Sequence, residues 1–306
     1  MTGPAGETIS LSKAPPPKRP QRKRELQDSL NHYLYHPLAW QLARVLAKTS
    51  ITPNIVSVIG GCFVVAAGIV YAVGATHGWG WHGALLGMLL HMIWHVVDGA
   101  DGDLARITGR TSPLGELVDG ICDYVSHIIV YLILGWLLST MIGWMGWPIM
   151  VAAGVSHAVQ SNHVEVQRRF YQWWVYSVPW LNNSQAKNSG GELKSVFGWL
   201  VDGYLKFATG MTPYAHHIDE AVSAAQGNPA ELERIRGLVR AESPRLLFIC
   251  KILGPNPRAI VLGCSMLAGS PIYYFFYQAV VLNALMVWSV MAHNAAARRI
   301  AAKIDG

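Results

Sequence analysis

The sequence predicts an all-α, polytopic membrane protein with six transmembrane helices and an amphipathic interfacial helix before the first of them. Hydrophobic residues make up 52% of its 306 residues and charged residues only 14%. The apolar residues also lie in several long stretches, most of which, with their flanks, reach the roughly 20 residues that a spanning helix needs. This composition is wrong for an ordinary soluble domain.

Helix-start signals divide these stretches into spans. A Ser, Thr or Asn followed by Pro supplies an N-cap and a proline in the first helical turn. Four such pairs stand where a span would begin: Thr52-Pro53, Ser112-Pro113, Asn256-Pro257 and Ser270-Pro271. The predicted spans are approximately 53–76, 82–106, 113–139, 145–166, 257–269 and 271–295. The fifth is short for a bilayer.

The distribution of Lys and Arg predicts the orientation of these spans. The short turns at 77–81, 140–144 and 269–271 contain neither residue. Essentially every Lys and Arg lies in the segments on the opposite side or at a helix end facing them. Positive residues collect in cytoplasmic loops, so both termini are expected in the cytoplasm, at the inner membrane if the protein is bacterial.

Five parts follow from this organisation. They are a disordered, basic cytosolic tail (1–26), an amphipathic interfacial helix (27–50), the first four spans (51–166), a cytoplasmic or interfacial insert (167–256), and the last two spans with the C-terminal tail (257–306). The net charge of +6 fits anionic lipid headgroups in a chain this apolar. No nucleic-acid partner is expected.

Four aspartates are spaced for two helix faces. Asp98 and Asp101 are three residues apart near the end of the second span, and Asp119 and Asp123 are four apart on the third, so each pair shares one face. The turn at 108–112 makes the two helices antiparallel. Acidic residues in a membrane are costly unless they are ion-bound, solvated or partly protonated. Carboxylate ligands favour Mg²⁺ or Mn²⁺, and a pair of such ions can neutralise a diphosphate.

The stretch Asp98-x2-Asp101-Gly102-x2-Ala105-Arg106-x8-Gly115-x3-Asp119-x3-Asp123 resembles the complete signature of the CDP-alcohol phosphotransferases. The resemblance implies two divalent cations, Mg²⁺ or Mn²⁺, held by the four aspartates, with Asp123 also acting as the general base. It implies that the cytidine site is formed by Gly102, Ala105, Gly115 and Arg106.

The same resemblance implies the reaction and the partners. An alcohol hydroxyl would attack the β-phosphorus of a CDP-linked donor, commonly CDP-diacylglycerol, and CMP would be released in phospholipid biosynthesis. Membrane lipids and a second copy of the chain are further expected partners. The run from Ser112 to Glu116 weakly resembles members that transfer choline or ethanolamine phosphate onto diacylglycerol, so CDP could instead carry the small alcohol and the lipid could be the acceptor.

Polar residues outside the signature are weaker candidates. Asp103 and Glu116 are predicted to be solvated charges at helix ends. A role beside the base or in acceptor recognition is considered for His127, His163, Arg168 and Arg169, although the two arginines equally suit a topology-setting charge pair.

Two other functional classes also use membrane carboxylates. An intramembrane prenyltransferase would need two separated Asp-rich motifs, whereas here both halves lie within 26 residues. A divalent-cation transporter would be expected to show inverted repeats and broken midplane helices, and neither is evident in the sequence.

Overall fold

The computed structural model describes residues 19–20, 22–178 and 210–306, and the regular structure in these ranges is entirely helical. The all-α prediction is therefore confirmed. The helices are α1 (His36–Leu46), α2 (Pro53–Thr76), α3 (Trp81–Thr108), α4 (Pro113–Ile142), α5 (Gly146–Tyr176), α6 (Ala215–Ala224), α7 (Pro229–Ile252), α8 (Pro255–Leu267), α9 (Ile272–Phe276) and α10 (Leu282–Asp305). Turns of π-helix precede α1, at Asn31–Tyr35, and join α9 to α10, at Tyr277–Val281.

Two of the four predicted helix starts coincide with the structure. Helix α2 begins at Pro53 and α4 at Pro113. Ser112 caps α4, because its Oγ accepts a hydrogen bond from the Gly115 amide at 3.0 Å. Helix α8 begins at Pro255, two residues before the predicted proline, since Gly254 takes the N-cap position.

Five helical stretches of the described chain are long and apolar enough to cross a membrane: Pro53–Thr76, Trp81–Thr108, Gly115–Tyr176, Pro229–Leu267 and Ile272–Asp305. The third is 62 residues long and contains α4 from Gly115 onward and all of α5, which are separated by a 3-10 turn at Gly143–Met145. The fourth joins α7 to α8, whose 13 residues are too few to span alone. The count of six spans and their orientation stay predictions.

Helices α2, α3 and α4 pack together and bring the acidic segment onto a common support. Gly74 of α2 and Gly83 of α3 meet backbone to backbone: a Cβ added at Gly83 would lie 2.8 Å from the Gly74 Cα. Below this crossing the fully buried Tyr71 and Leu134 lie in one apolar core with Val64. Small residues at such crossings allow close helix approach.

This close crossing yields a stability prediction. Gly83→Ala is expected to destabilise the fold by about 1–3 kcal/mol, because the added methyl group overlaps backbone that cannot rotate away. The matched control is Gly237→Ala in α7, where an added Cβ meets nothing within 4 Å and removing a helical glycine is favourable. Thermal unfolding in detergent should show a lower midpoint for the first variant only; equal midpoints would contradict the packing.

A second core lies beyond the acidic segment. Helix α5 continues to Tyr176, past the predicted span end at 166, and packs with α6, α7 and α10 around Phe170, Ile218 and Ile235. Residues 179–209 of the predicted insert lie outside the described residues. The location of this second core at the cytoplasmic membrane surface stays a prediction.

The beginning of the chain differs from its prediction. Residues 1–18 and 21 of the tail predicted to be disordered lie outside the described residues. Arg24–Leu26, however, form a turn of 3-10 helix, and Arg22 makes an ion pair with Asp103. The prediction of disorder is therefore wrong for these last residues, because their side chains find partners on elements distant in sequence.

Candidate active site

Three carboxylates converge where α3 and α4 face each other. Asp98, Asp119 and Asp123 each offer an oxygen, and these three oxygens lie within 4.8 Å of one another. All three residues are half-buried. The spacing of the two pairs along their helices, predicted from the sequence, accounts for this convergence.

Asp101 joins the group from the same face of α3. Its Oδ2 accepts a 2.6 Å hydrogen bond from the Ser57 hydroxyl, its Oδ1 accepts one from the Gly102 amide, and its carboxyl group contacts that of Asp119. The structure thus brings all four predicted aspartates together. Asp101 is the most enclosed of them, at 6% exposure.

The connection between α3 and α4 fixes this arrangement. Helix α3 is followed by its C-cap Gly109, which has the left-handed φ of 67° that glycine adopts without strain. Ser112 then caps α4. With so few residues between the two caps, the helices turn back on each other and their acidic faces meet.

Helix α2 supplies a third wall that the sequence analysis missed. Ser57 holds Asp101. A Cβ added at Gly60 would lie 3.9 Å from the Asp98 amide nitrogen, and one at Gly61 would lie 3.5 Å from the Cys122 carbonyl oxygen. The usable signal was Ser57-x2-Gly60-Gly61, a polar and small face within an otherwise apolar span.

The predicted nucleotide positions lie beside the carboxylates. A Cβ added at Gly102 would meet the Arg106 guanidinium at 3.7–3.8 Å, and one at Gly115 would meet Asn54 Oδ1 at 3.6 Å. Ala105 is half-buried. The Arg106 side chain is 52% exposed, so its charge is accessible to a ligand.

Asp103 differs from its prediction, whereas Glu116 is exposed as expected. The Asp103 side chain is 2% exposed, and its Oδ1 pairs with Arg106 at 2.6 Å and with Arg22 at 2.7 Å. The prediction of a solvated charge was wrong because Arg22, 81 residues earlier, covers this carboxylate. A contact over that separation leaves no local pattern in the sequence.

The segment from Asp98 to Asp123 lies within a match to a known protein family. The family model described as CDP-alcohol phosphatidyltransferase matches residues 50–180, a range that contains the whole acidic segment. Residues 50–180 form a CDP-alcohol phosphatidyltransferase domain.

Similar curated proteins match this chain over limited lengths. Cholinephosphotransferase 1 of Xenopus laevis is 31% identical over 36% of this chain and 29% of its own length. Ceramide phosphoethanolamine synthase of Drosophila melanogaster is 35% identical over 35% of this chain and 29% of its own length. An uncharacterised class-I family protein of Schizosaccharomyces pombe is 29% identical over 32% and 26%, respectively. The chain therefore aligns with less than a third of each relative.

Deeper in the CDP-alcohol phosphatidyltransferase domain, aromatic and histidine rings pack against the last aspartate. His127 donates from Nδ1 to the Asp123 carbonyl oxygen at 2.8 Å, which fixes the ring position. The ring centroid of His127 lies 4.8 Å from that of Trp94 and 5.8 Å from that of His157. The Trp94 indole also lies beside the Asp123 carboxylate. His127 therefore contacts the aspartate it was predicted to support.

The other acceptor candidates of this domain make different contacts. His163 is fully buried, and its Nε2 lies 2.9 Å from Ser289 Oγ of α10. Arg168 and Arg169 both pair with Glu165, at 2.8 and 2.6 Å. The described contacts of these three residues join helices or neighbouring charges, and their part in acceptor recognition stays a prediction.

Proposed function

We propose that this protein transfers a substituted phosphate group from a CDP-linked donor to an alcohol and releases CMP. The observation that carries the proposal is the convergence of the oxygens of Asp98, Asp119 and Asp123 within 4.8 Å, inside a CDP-alcohol phosphatidyltransferase domain. The aligned segment covers less than a third of each relative. The activity proposed for the whole chain therefore rests on this site.

The ligand atoms of the site fit divalent cations that prefer oxygen. Asp98, Asp101, Asp119 and Asp123 offer carboxylate oxygens only, which suits Mg²⁺ or Mn²⁺ better than zinc. The four residues would hold two such ions, with Asp123 contacting one. When bound, the ions would supply charge stabilisation to the diphosphate and to the attacking and leaving oxygens.

Asp123 has the surroundings of a general base. Its backbone carbonyl oxygen accepts a hydrogen bond from His127, and the Trp94 indole lies beside its carboxylate, so the group stands on helix α4 between two aromatic rings. We assign to Asp123 the removal of the proton from the acceptor hydroxyl. The new bond joins the hydroxyl oxygen to the β-phosphorus, the bond from the β-phosphorus to the bridging oxygen breaks, and CMP leaves with that oxygen.

The nucleotide would lie along the ends of α3 and α4. Gly102, Ala105 and Gly115 present little side-chain bulk there, which allows a ligand to approach the backbone. The exposed guanidinium of Arg106 supplies a positive charge that can pair with a phosphate or hold the cytidine.

The substrates are proposed from the relatives. The two named proteins handle choline phosphate and phosphoethanolamine, as their names state. This favours a CDP-linked small alcohol as donor and a lipid hydroxyl as acceptor. CDP-diacylglycerol with a small alcohol is the second candidate, since it is the donor that the family signature most commonly implies.

The proposed location of the active site follows from the distribution of Lys and Arg along the chain. With both termini in the cytoplasm, the ends of α3 and α4 face the cytoplasmic leaflet, where a water-soluble CDP group and a lipid can meet. A homodimer in the membrane belongs to the same proposal.

A reciprocal donor screen tests this function. Purified protein with Mg²⁺ would receive CDP-choline or CDP-ethanolamine with diacylglycerol or ceramide, and in parallel CDP-diacylglycerol with individual radiolabelled alcohols. The expected result is CMP and a labelled phospholipid in the first set. Product only in the second set would reverse the donor and acceptor roles, and no CMP in either set would contradict the proposed function.

A further inference from the structure

A segment before α1 ties four helices together beside the nucleotide positions. We name Arg22–Asp28 the N-terminal strap. Its Gln27 side chain accepts a hydrogen bond from His36 Nδ1 of α1 at 2.8 Å, and its Asp28 carboxylate accepts one from Asn256 of α8 at 2.8 Å. Tyr176 of α5 donates to Glu25. These contacts hold the strap in one place against the bundle.

Arg22 of the strap reaches the acidic segment itself. Its Nη2 lies 2.7 Å from Asp103 Oδ1, the same oxygen that Arg106 Nη1 contacts at 2.6 Å. Gln27 holds the backbone of Arg22 in place, because its Nε2 donates a hydrogen bond to the Arg22 carbonyl oxygen at 2.8 Å. Two guanidinium groups therefore share one carboxylate oxygen two residues after Asp101.

The charges of this group do not cancel. Asp103 carries one negative charge, and Arg22 and Arg106 together carry two positive charges, so one positive charge is left. Burial and the nearby positive charge of Arg22 lower the pKa of His36 to about 4, so the His36 ring is neutral at neutral pH and leaves this sum unchanged. The surplus charge lies toward solvent on Arg106, which is 52% exposed, rather than on Arg22, which is 25% exposed.

We propose that Arg22 is a positioning residue for donor binding. Because Arg22 also pairs with Asp103, this carboxylate does not fully neutralise Arg106, and the positive charge of Arg106 stays available to the phosphates of the nucleotide. Without Arg22, Asp103 would pair with Arg106 alone, and the pair would be neutral. The proposal rests on the proposed function, because it takes CMP and its CDP-linked precursor as the ligand.

A set of variants separates this role from a merely structural ion pair. Arg22→Ala should weaken CMP binding about tenfold, since Asp103 then neutralises Arg106. Arg22→Lys should recover part of the loss. Asp103→Asn removes the competing carboxylate and should not weaken binding. The double variant Arg22→Ala/Asp103→Asn should therefore bind CMP more tightly than Arg22→Ala alone. A merely structural ion pair predicts a different result: Arg22→Ala, Asp103→Asn and the double variant would all break it, and all three would bind CMP equally weakly.

The strap also provides a matched control. Arg24 carries the same charge in the same segment, but its guanidinium lies over the Tyr33 ring, at 5.7 Å from the centroid, and contacts the Gln27 carbonyl oxygen. Arg24→Ala should leave CMP binding within about twofold of the wild type, because one partly solvated charge away from the site is screened.

The measurement is calorimetric titration of CMP into the full-length protein with Mg²⁺, together with donor KM and kcat. Arg22→Ala should raise KM and change kcat less, and thermal unfolding should show that each variant is folded. A double variant that binds CMP no better than Arg22→Ala overturns the role of Arg22 while CMP release by the wild type stands. A wild type that binds no CMP overturns the proposed function and this role with it.

Discussion

Asp123→Asn is expected to lower the rate of CMP release by about 10³-fold, within the range of about 10²–10⁴ for general-base catalysis. Asparagine keeps the size and shape of the side chain, so helix α4 and its contact with His127 should persist. It cannot accept the proton of the acceptor hydroxyl, and it weakens one metal ligand. Single-turnover measurement of CMP by chromatography separates the chemical step from product release.

The control for this variant is Asp305→Asn, which removes a carboxylate of the same size from the exposed C-terminal end of α10, where it pairs with His217. That change should leave CMP release unaltered. An Asp123→Asn protein that is folded and forms CMP at the wild-type rate would contradict the assignment of the base.

Loss of a metal ligand should have an effect of comparable size. Asp98→Asn and Asp119→Asn each remove a charge from the group whose oxygens lie within 4.8 Å, so Mn²⁺ affinity should fall by about 10²-fold or more and CMP release should fall with it. Titration of Mn²⁺ followed by electron paramagnetic resonance gives the affinity and the number of ions without relying on activity. The wild type should bind two.

Glu220→Gln serves as the control for metal binding, because Glu220 is an exposed carboxylate on α6. Its Mn²⁺ titration should match the wild type. Binding of two ions with unchanged affinity after Asp98→Asn or Asp119→Asn would contradict the assigned ligands, and binding of one ion by the wild type would contradict the two-ion site.

The acidic segment could be predicted from the sequence because its geometry is local. Residues three or four apart on a helix share a face, so Asp98 with Asp101 and Asp119 with Asp123 specify two acidic faces. The short turn between the helices then brings the faces together. Other local signals, the Thr52-Pro53 and Ser112-Pro113 pairs, predicted the starts of α2 and α4.

The support of the site could not be predicted in this way. Ser57 is 44 residues from Asp101 and Arg22 is 81 residues from Asp103, and neither separation follows from helical periodicity. Both partners are common residue types whose role depends on how α2 and the N-terminal strap pack. The prediction for Asp103 failed for this reason, since an aspartate near a helix end is ordinarily solvated.

The proposed reaction is attack on the β-phosphorus with CMP as the leaving group, at the carboxylates of α3 and α4. Phosphorus NMR of the products formed by the purified protein from a CDP-linked donor, with Mg²⁺ and an acceptor alcohol, tests it most directly. CMP and a phosphodiester lipid should form in equal amounts, and neither should form after chelation of the metal. CDP as the nucleotide product would show cleavage at the carbon–oxygen bond, as in a prenyltransferase, and would rule out attack on the β-phosphorus.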